Sequence, residues 1–178
     1  MNPVTALAQT PRAHTVLGPG ATEKALTTFL NGIPGVDTVG AHARAAGFAS
    51  RSLKTTSKAA GLDTIISMVD LTTLEGADTV GKVHTLARKA ISPHISDPST
   101  PSVAAVCVYG DMVSAVRESL GAHHISQRPD GVAVAAVATA FPSGRASLAV
   151  KLADTQFAVS EGADEIDMVI DRGAFLSG

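Results

Sequence analysis

The sequence predicts an α/β fold in which a parallel sheet is covered by helices, and three observations predict it. From about residue 60 onward, strand and helix patterns alternate as β-α-β-α-β-α-β. The strands are near-continuous apolar runs, as expected where both faces of a sheet are covered. The units recur about every 30 residues, the spacing of βα repeats.

The elements follow in order. Before residue 60 the chain is rich in Ala, Gly, Thr and Ser with weak periodicity. Thr22 to Ile33 reads as a short helix with Ala25, Phe29 and Leu30 on one side. Ala41 to Ala60 carries Arg44, Arg51, Lys54 and Lys58 and no acid, and reads either as a small helix or as a mobile leader. Residues 1–60 are therefore expected to form an N-terminal extension, and 61–178 a separate α/β unit. Thr64 to Val69, a β-branched apolar run, is the expected first strand, followed by Asp70-Leu71-Thr72-Thr73. A helix follows, with Val80, Val83, Ala87, Ala90 and Ile91 on one stripe. Pro93, Pro98 and Pro101 mark a loop before the second strand, Val103 to Tyr109.

Asp111 is the expected N-cap of a helix with Val113, Val116 and Leu120 inward and Gly121 as its stop. Val132 to Ala138 is the third strand and leads into Phe141-Pro142-Ser143-Gly144. Ala146 to Ser160 is the third helix, closed by Gly162, and Glu165 to Ile170 is the fourth strand. No helix is expected in Arg172 to Gly178, so the last unit reads as incomplete and the chain as half of a larger domain. Eight such units would need about 240 residues, the usual size of a (β/α)8 barrel. An open doubly wound sheet fits the same spacing.

Composition narrows the function classes. The 178 residues carry a net charge of −2, and only 3% are aromatic, which argues against a nucleic-acid binder needing a basic patch and stacking platforms. The hydrophobic fraction of 45% suits a globular core, whereas the charged fraction of 17% is below the roughly 25% usual for soluble domains. One cysteine excludes an internal disulfide and a Cys-based zinc cluster. No apolar run approaches the ~18 residues of a membrane span, and Met1 to His14 lacks the pattern of a secretory signal. The expectation is a cytoplasmic protein without a membrane, metal or cofactor.

Candidate site residues are polar groups where the sheet should be dry. In Glu165 to Ile170 the period of two puts Ile166, Met168 and Ile170 on one face and Glu165, Asp167 and Val169 on the other. With the apolar face on the helices, Asp167 points to the interior of the barrel or sheet. There it is either a structural ion pair or strand-end cap, or a general acid/base. Asp70 is read as ending the first strand, either as a turn carboxylate or as a site residue. Cys107 is a small buried hydrophobe or lines a pocket, on a face shared with Val103 and Ala105. All three fall where barrel enzymes place their chemistry, in the C-terminal halves of strands. Gly18-Pro19-Gly20 lacks the rest of a dinucleotide fingerprint, His123-His124 reads as solvated, and Ser143-Gly144 reads as an ordinary turn.

Four stretches, Met68 to Leu74, Ala104 to Tyr109, Phe141 to Gly144 and Gly162 to Ile170, carry a resemblance to the 2-deoxy-D-ribose-5-phosphate aldolase family. They occur in family order with fitting gaps over roughly residues 63–178, and the sequence looks most like the longer-chain branch with an N-terminal extension. Gly110 departs from the proline usual after Tyr. The resemblance implies a (β/α)8 TIM barrel, of which this chain supplies about the first four βα units. It also implies a metal-free class I aldol reaction through a lysine Schiff base. The reaction reversibly cleaves 2-deoxy-D-ribose 5-phosphate to acetaldehyde and D-glyceraldehyde 3-phosphate in deoxynucleoside catabolism. Asp167 then matches a proton-shuttling aspartate and Asp70 an active-site residue. Thr72 matches a residue near the sugar hydroxyls, and Cys107 a pocket-lining cysteine.

The implied partner is a small phosphorylated sugar, and a homo-oligomer is allowed for. The family's Schiff-base lysine lies on its sixth strand. Here the lysines are Lys24, Lys54, Lys58, Lys82, Lys89 and Lys151, none of them in an apolar strand. A solvated lysine stays protonated at pH 7 and is a poor nucleophile, so the chain alone is expected to be inactive. Two other readings compete with this one, a non-catalytic half-barrel that self-associates and a small α/β phosphate-binding domain.

Overall fold

The computed structural model describes residues 22–177, so Gly18-Pro19-Gly20 lies outside the described residues. The chain divides into two compact units, one extending to Ser52 and the other starting at Leu53. In the first, α1 (Glu23–Asn31) is capped by Thr22, whose hydroxyl accepts from the Ala25 N–H at 3.2 Å. Next, α2 (Thr38–Ala49) is capped by the Asp37 carboxylate, which accepts from Gly40 N–H at 2.9 Å. Of the two readings of Ala41 to Ala60, the helical one holds for α2. No residue of either helix is buried.

The second unit opens with α3 (Thr55–Ile66) and continues as β1 (Asp70–Thr72), α4 (Val80–Ile91), β2 (Ala105–Tyr109), α5 (Val113–Leu120), β3 (Ala133–Ala138), α6 (Leu148–Ser160), β4 (Glu165–Met168) and α7 (Arg172–Ser177). All neighbouring strands are parallel, in the order β1-β2-β3-β4. That order separates the two architectures left open by spacing. A doubly wound sheet reverses direction at a switch point, sending helices to both faces. Consecutive order with crossovers of one hand puts every helix on the same face, as in the wall of a (β/α)8 barrel.

The packing agrees with that assignment. Val106, Val108, Val134 and Ala136 point to one side of the sheet. There they bury Val83, Ala87 and Ala90 of α4, Val113, Val116 and Leu120 of α5, and Ala158 of α6. The opposite face holds Ala105, Cys107, Ala133, Ala135 and Val137, with Leu74, Tyr109 and Phe141 packed at its upper end. No helix residue belongs to that second cluster.

Several expectations are corrected. Thr64 to Ile66 do not begin a strand; they finish α3, where the Thr64 hydroxyl donates to the Ala60 carbonyl at 2.8 Å. That local bond satisfies the hydroxyl within the helix. Asp70 consequently opens β1 instead of ending it. Val103 does not share a face with Cys107. The strand begins only at Ala105, because Ala104 and Ala105 N–H both donate to the single Val69 carbonyl, at 3.0 and 3.3 Å. The pleat therefore does not run through 103–105, and Val103 joins the helix side. Asp111 lies inside a 3-10 turn, Gly110–Met112, and makes no cap for α5. A helix does follow the fourth strand: α7 (Arg172–Ser177) is preceded by Asp171, whose carboxylate accepts from the Ala174 N–H at 3.0 Å.

Leu120, which is 1% exposed, is the largest fully buried side chain among the described residues and joins α5 to the sheet. Leu120→Ala is expected to lower unfolding stability by about 2–5 kcal/mol, as removal of a buried leucine does where the site cannot collapse. Urea denaturation followed by circular dichroism measures this, and a change below about 1 kcal/mol would place Leu120 outside the core.

Candidate active site

The inner face of the sheet is where the polar candidates meet. In parallel register Thr72 sits opposite Cys107, Cys107 opposite Ala135, and Val137 opposite Asp167. Residues paired in this way share a face, so Asp70, Thr72, Cys107 and Asp167 all point into the same space. Alanines at 105, 133 and 135 keep that face shallow and leave room beside Cys107. The thiol is 1% exposed and lies 3.8 Å from Asp167 Oδ2. Asp167, Asp70 and Thr72 are exposed, and Thr72 donates to the Asp70 carbonyl at 2.9 Å. All four candidate residues are therefore brought together, with Cys107 as the buried floor and the carboxylates above it.

Electrostatics follow from that arrangement. Burial pushes the Cys107 thiol up to about 11, and the charges of Asp167 and Asp70 add to the effect, while Thr72 opposes it. The site thus holds a neutral thiol beside carboxylates at neutral pH.

The upper rim is shaped by the end of β3. Thr139 and Ala140 take positive φ values of 65° and 63°, in the left-handed region that non-glycine residues rarely adopt. Two side chains hold them there. Asp154 Oδ2 of α6 accepts from Ala140 N–H at 3.1 Å. The Thr139 hydroxyl donates to the Val169 carbonyl at 2.7 Å and accepts from Val169 N–H at 2.9 Å. Gly144 has a φ of 71°, and a Cβ there would stand 2.2 Å from the Ile170 carbonyl. Ser143-Gly144 is thus a turn pressed against the exit of β4. Phe141 meets Tyr109 edge to face, with centroids 6.3 Å apart. A cleft of about 430 Å³ opens beside them, lined by Glu75, Asp78, Tyr109, Val137, Phe141 and Asp154 among others.

The lower end of the strands holds a group that sequence reasoning missed. His124, expected to be solvated, is 2% exposed. Its Nε2 lies 2.7 Å from Asp164 Oδ2, and its Nδ1 accepts from Ser126 N–H at 3.1 Å with the Ser126 hydroxyl 2.8 Å away. The partner lies 40 residues further along the chain, so no local pattern reveals it. Serine, histidine and aspartate together suggest a nucleophile triad, but they sit at the strand starts, where a barrel keeps its stabilising contacts. Among the described residues no group of His, Cys, Asp and Glu side chains is placed to hold a metal ion, and no helix is long and apolar enough to cross a membrane.

Comparison with known proteins meets this geometry. No protein-family model matches the chain. A Mus musculus deoxyribose-phosphate aldolase is 38% identical over 138 residues, 73% of this chain and 42% of its own length. A Caenorhabditis elegans protein, provisionally given the same name, is 38% identical over 112 residues, 63% of this chain and 35% of its own. Over these spans the chain is similar to part of the deoxyribose-phosphate aldolases. It spans well under half the length of these curated relatives. A solved Coccidioides immitis structure, provisionally described as a deoxyribose-phosphate aldolase, is 25% identical with a TM-score of 0.52. It covers 65% of this chain and 40% of that one. A parallel sheet in consecutive order and these aldolase neighbours together give a partial (β/α)8 barrel.

The raised thiol has a measurable consequence. An unfolded chain ionises Cys107 near its ordinary 9.0, the folded chain near 11. The folded value is the higher, so this contribution to stability is complete below about pH 9 and is lost as pH rises towards 11. Alkylation of the native chain by iodoacetamide is expected to climb towards the same upper value. A midpoint at the ordinary 9.0 would show the thiol free of both burial and carboxylates.

Proposed function

We propose that this chain carries the proton-transfer side of a deoxyribose-phosphate aldolase site. Residues 61–178 form the barrel part and residues 1–60 an extension. The observation that carries this reading is the convergence of Asp70, Thr72, Cys107 and Asp167 on the sheet face that, among the described residues, no helix covers. The reaction is the reversible cleavage of 2-deoxy-D-ribose 5-phosphate to acetaldehyde and D-glyceraldehyde 3-phosphate, in deoxynucleoside catabolism. Its demand on protein groups is to move protons while a lysine Schiff base acts as electron sink. Asp167, exposed on the open face, can pass protons through water at the carbinolamine and enamine stages. Thr72 offers a hydroxyl to the sugar, and Cys107 with Ala135 shapes the floor. Glu75, Asp78, Asp111 and Asp154 around the cleft disfavour a phosphate on this side, so the phosphate end belongs elsewhere.

The Schiff base must come from outside these residues. Lys24 lies in α1, Lys54 precedes α3, Lys58 lies in α3, Lys82 and Lys89 in α4, and Lys151 in α6. None reaches the inner face from a strand, and Lys82 is paired with Asp78. Treating the 178-residue chain with acetaldehyde and borohydride is therefore expected to add no mass to any lysine. An adduct on one of the six would overturn the assignment of an inactive chain. In a polypeptide that joins this chain to lysine-bearing βα units, one lysine outside the chain is expected to be trapped. There, Asp167→Asn is expected to lower turnover by about 10²-fold or more, the scale of a lost general acid/base. Near-normal turnover would make Asp167 a structural residue.

A further inference from the structure

We propose that Asp164 is a positioning residue: by tying the start of β4 to Val134 and His124, it sets Asp167 against Cys107. This deepens the aldolase reading, on which the chemical importance of Asp167 rests. The mechanical part stands on geometry alone.

β4 has four residues and pairs with β3 only, among the described residues. Backbone pairing by itself is degenerate along a strand. A slip of one residue would turn Asp167 to the helix side, and a slip of two would carry it about 7 Å along the sheet. Side chains must therefore choose the register. Asp164, immediately before the strand, is bound to one residue of β3 twice. Its N–H donates to the Val134 carbonyl at 2.8 Å, and its Oδ2 accepts from Val134 N–H at 2.8 Å. The same oxygen accepts from His124 Nε2 at 2.7 Å. Because Ser126 N–H donates to Nδ1, the neutral ring carries its hydrogen on Nε2, pointed at Asp164.

His124 is in turn bridged to Val132, the residue just before β3, so the tie is anchored at the entrance to the third strand and the exit of α5. Arg117 of α5 closes the other side. It donates to the Gly162 carbonyl at 2.9 Å and stands 3.7 Å from Asp164 Oδ1. Gly162, with a φ of 102°, leaves no space for a Cβ, which would lie 2.6 Å from Arg117 Cδ. At the other end of β4 the Thr139 hydroxyl holds both backbone groups of Val169. Asp167 lies between these two ties. Val134, which Asp164 binds twice, packs on the helix side of the sheet, so Asp164 acts on the site through the placement of β4.

The test uses the 178-residue chain and reads the Cys107 thiol, not activity. Facing that thiol are Asp70 and Thr72 from β1 and Asp167 from β4, while β3 contributes only alanine at the paired position. The alkylation midpoint is measured for the native sequence, Asp164→Ala, Asp167→Asn and the double variant, with circular dichroism and cooperative unfolding as checks on the fold. The expected result is a lower midpoint for Asp164→Ala, with at least about threefold more thiolate at a fixed pH below it, and no further change when Asp167→Asn is already present. A folded Asp164→Ala chain with an unchanged midpoint overturns the proposal. So does a shift of equal size in the Asp167→Asn background, because Asp164 would then act on the thiol without Asp167. If Asp164→Ala does not fold, His124→Asn is judged by the same two criteria, since it removes one bond of the tie and keeps the Val134 pair. Failure of the aldolase reading would show in lysine trapping and leave these midpoints as they are, so each claim can fail alone.

Discussion

Consecutive parallel pairing of β1, β2, β3 and β4 is the constraint from which the other features of the second unit descend. With crossovers of one hand, that order sends α4, α5 and α6 to one face and leaves the other without helices. Each strand must then serve two different environments. Val106, Val108 and Val134 fill the space under the helices, whereas Ala105, Ala133 and Ala135 make a thin inner layer. Close packing of valines on one side and the low profile of alanines on the other follow from the same alternation. The candidate site is what the thin layer permits: a sunken thiol with two carboxylates and a hydroxyl around it.

Different contacts mark the two ends of the strands. At the strand starts, His124, Asp164 and Arg117 hold α5, β3 and β4 together, and the bonds to Asp164 and Ser126 satisfy the buried His124 ring. At the strand ends, Thr139 and Ala140 adopt left-handed backbone held by Asp154 and Val169, and the aromatic pair Tyr109 and Phe141 borders a cleft. Such strain persists only where surrounding groups over-determine it, and here two side chains do so. The ties at the strand starts are those expected of a barrel wall, which keeps its stabilising contacts there.

Much of the second unit was legible in the sequence. The apolar stripes of α4 and α5 and the apolar runs of β2 and β3 are local signals, and they place these elements within a few residues. The period of two in Glu165 to Met168 also put Asp167 on the correct face. The first strand was misplaced because Thr64 to Ile66 favour a strand by residue type, while hydrogen bonding within α3 favours a helix. Val103 was assigned to the wrong face because two N–H groups converge on the Val69 carbonyl and interrupt the pleat. His124 looked like a surface residue at a helix exit, since its partner Asp164 is 40 positions away.

The sequence by itself determined the alternation of strand and helix, the faces the helices bury, and the presence of a carboxylate on the opposite side of the fourth strand. These are short-range properties, because helix and strand periods repeat within a few residues and each side chain follows its own backbone. Only the tertiary structure decided that the sheet is wound in one direction, that Cys107 and Asp167, 60 residues apart, stand 3.8 Å from each other, and that Asp164 is locked to Val134 and His124. Strand order and such contacts depend on how whole βα units pack beside one another. That packing is set by the summed burial and hydrogen bonding of distant segments, which no single stretch of sequence contains.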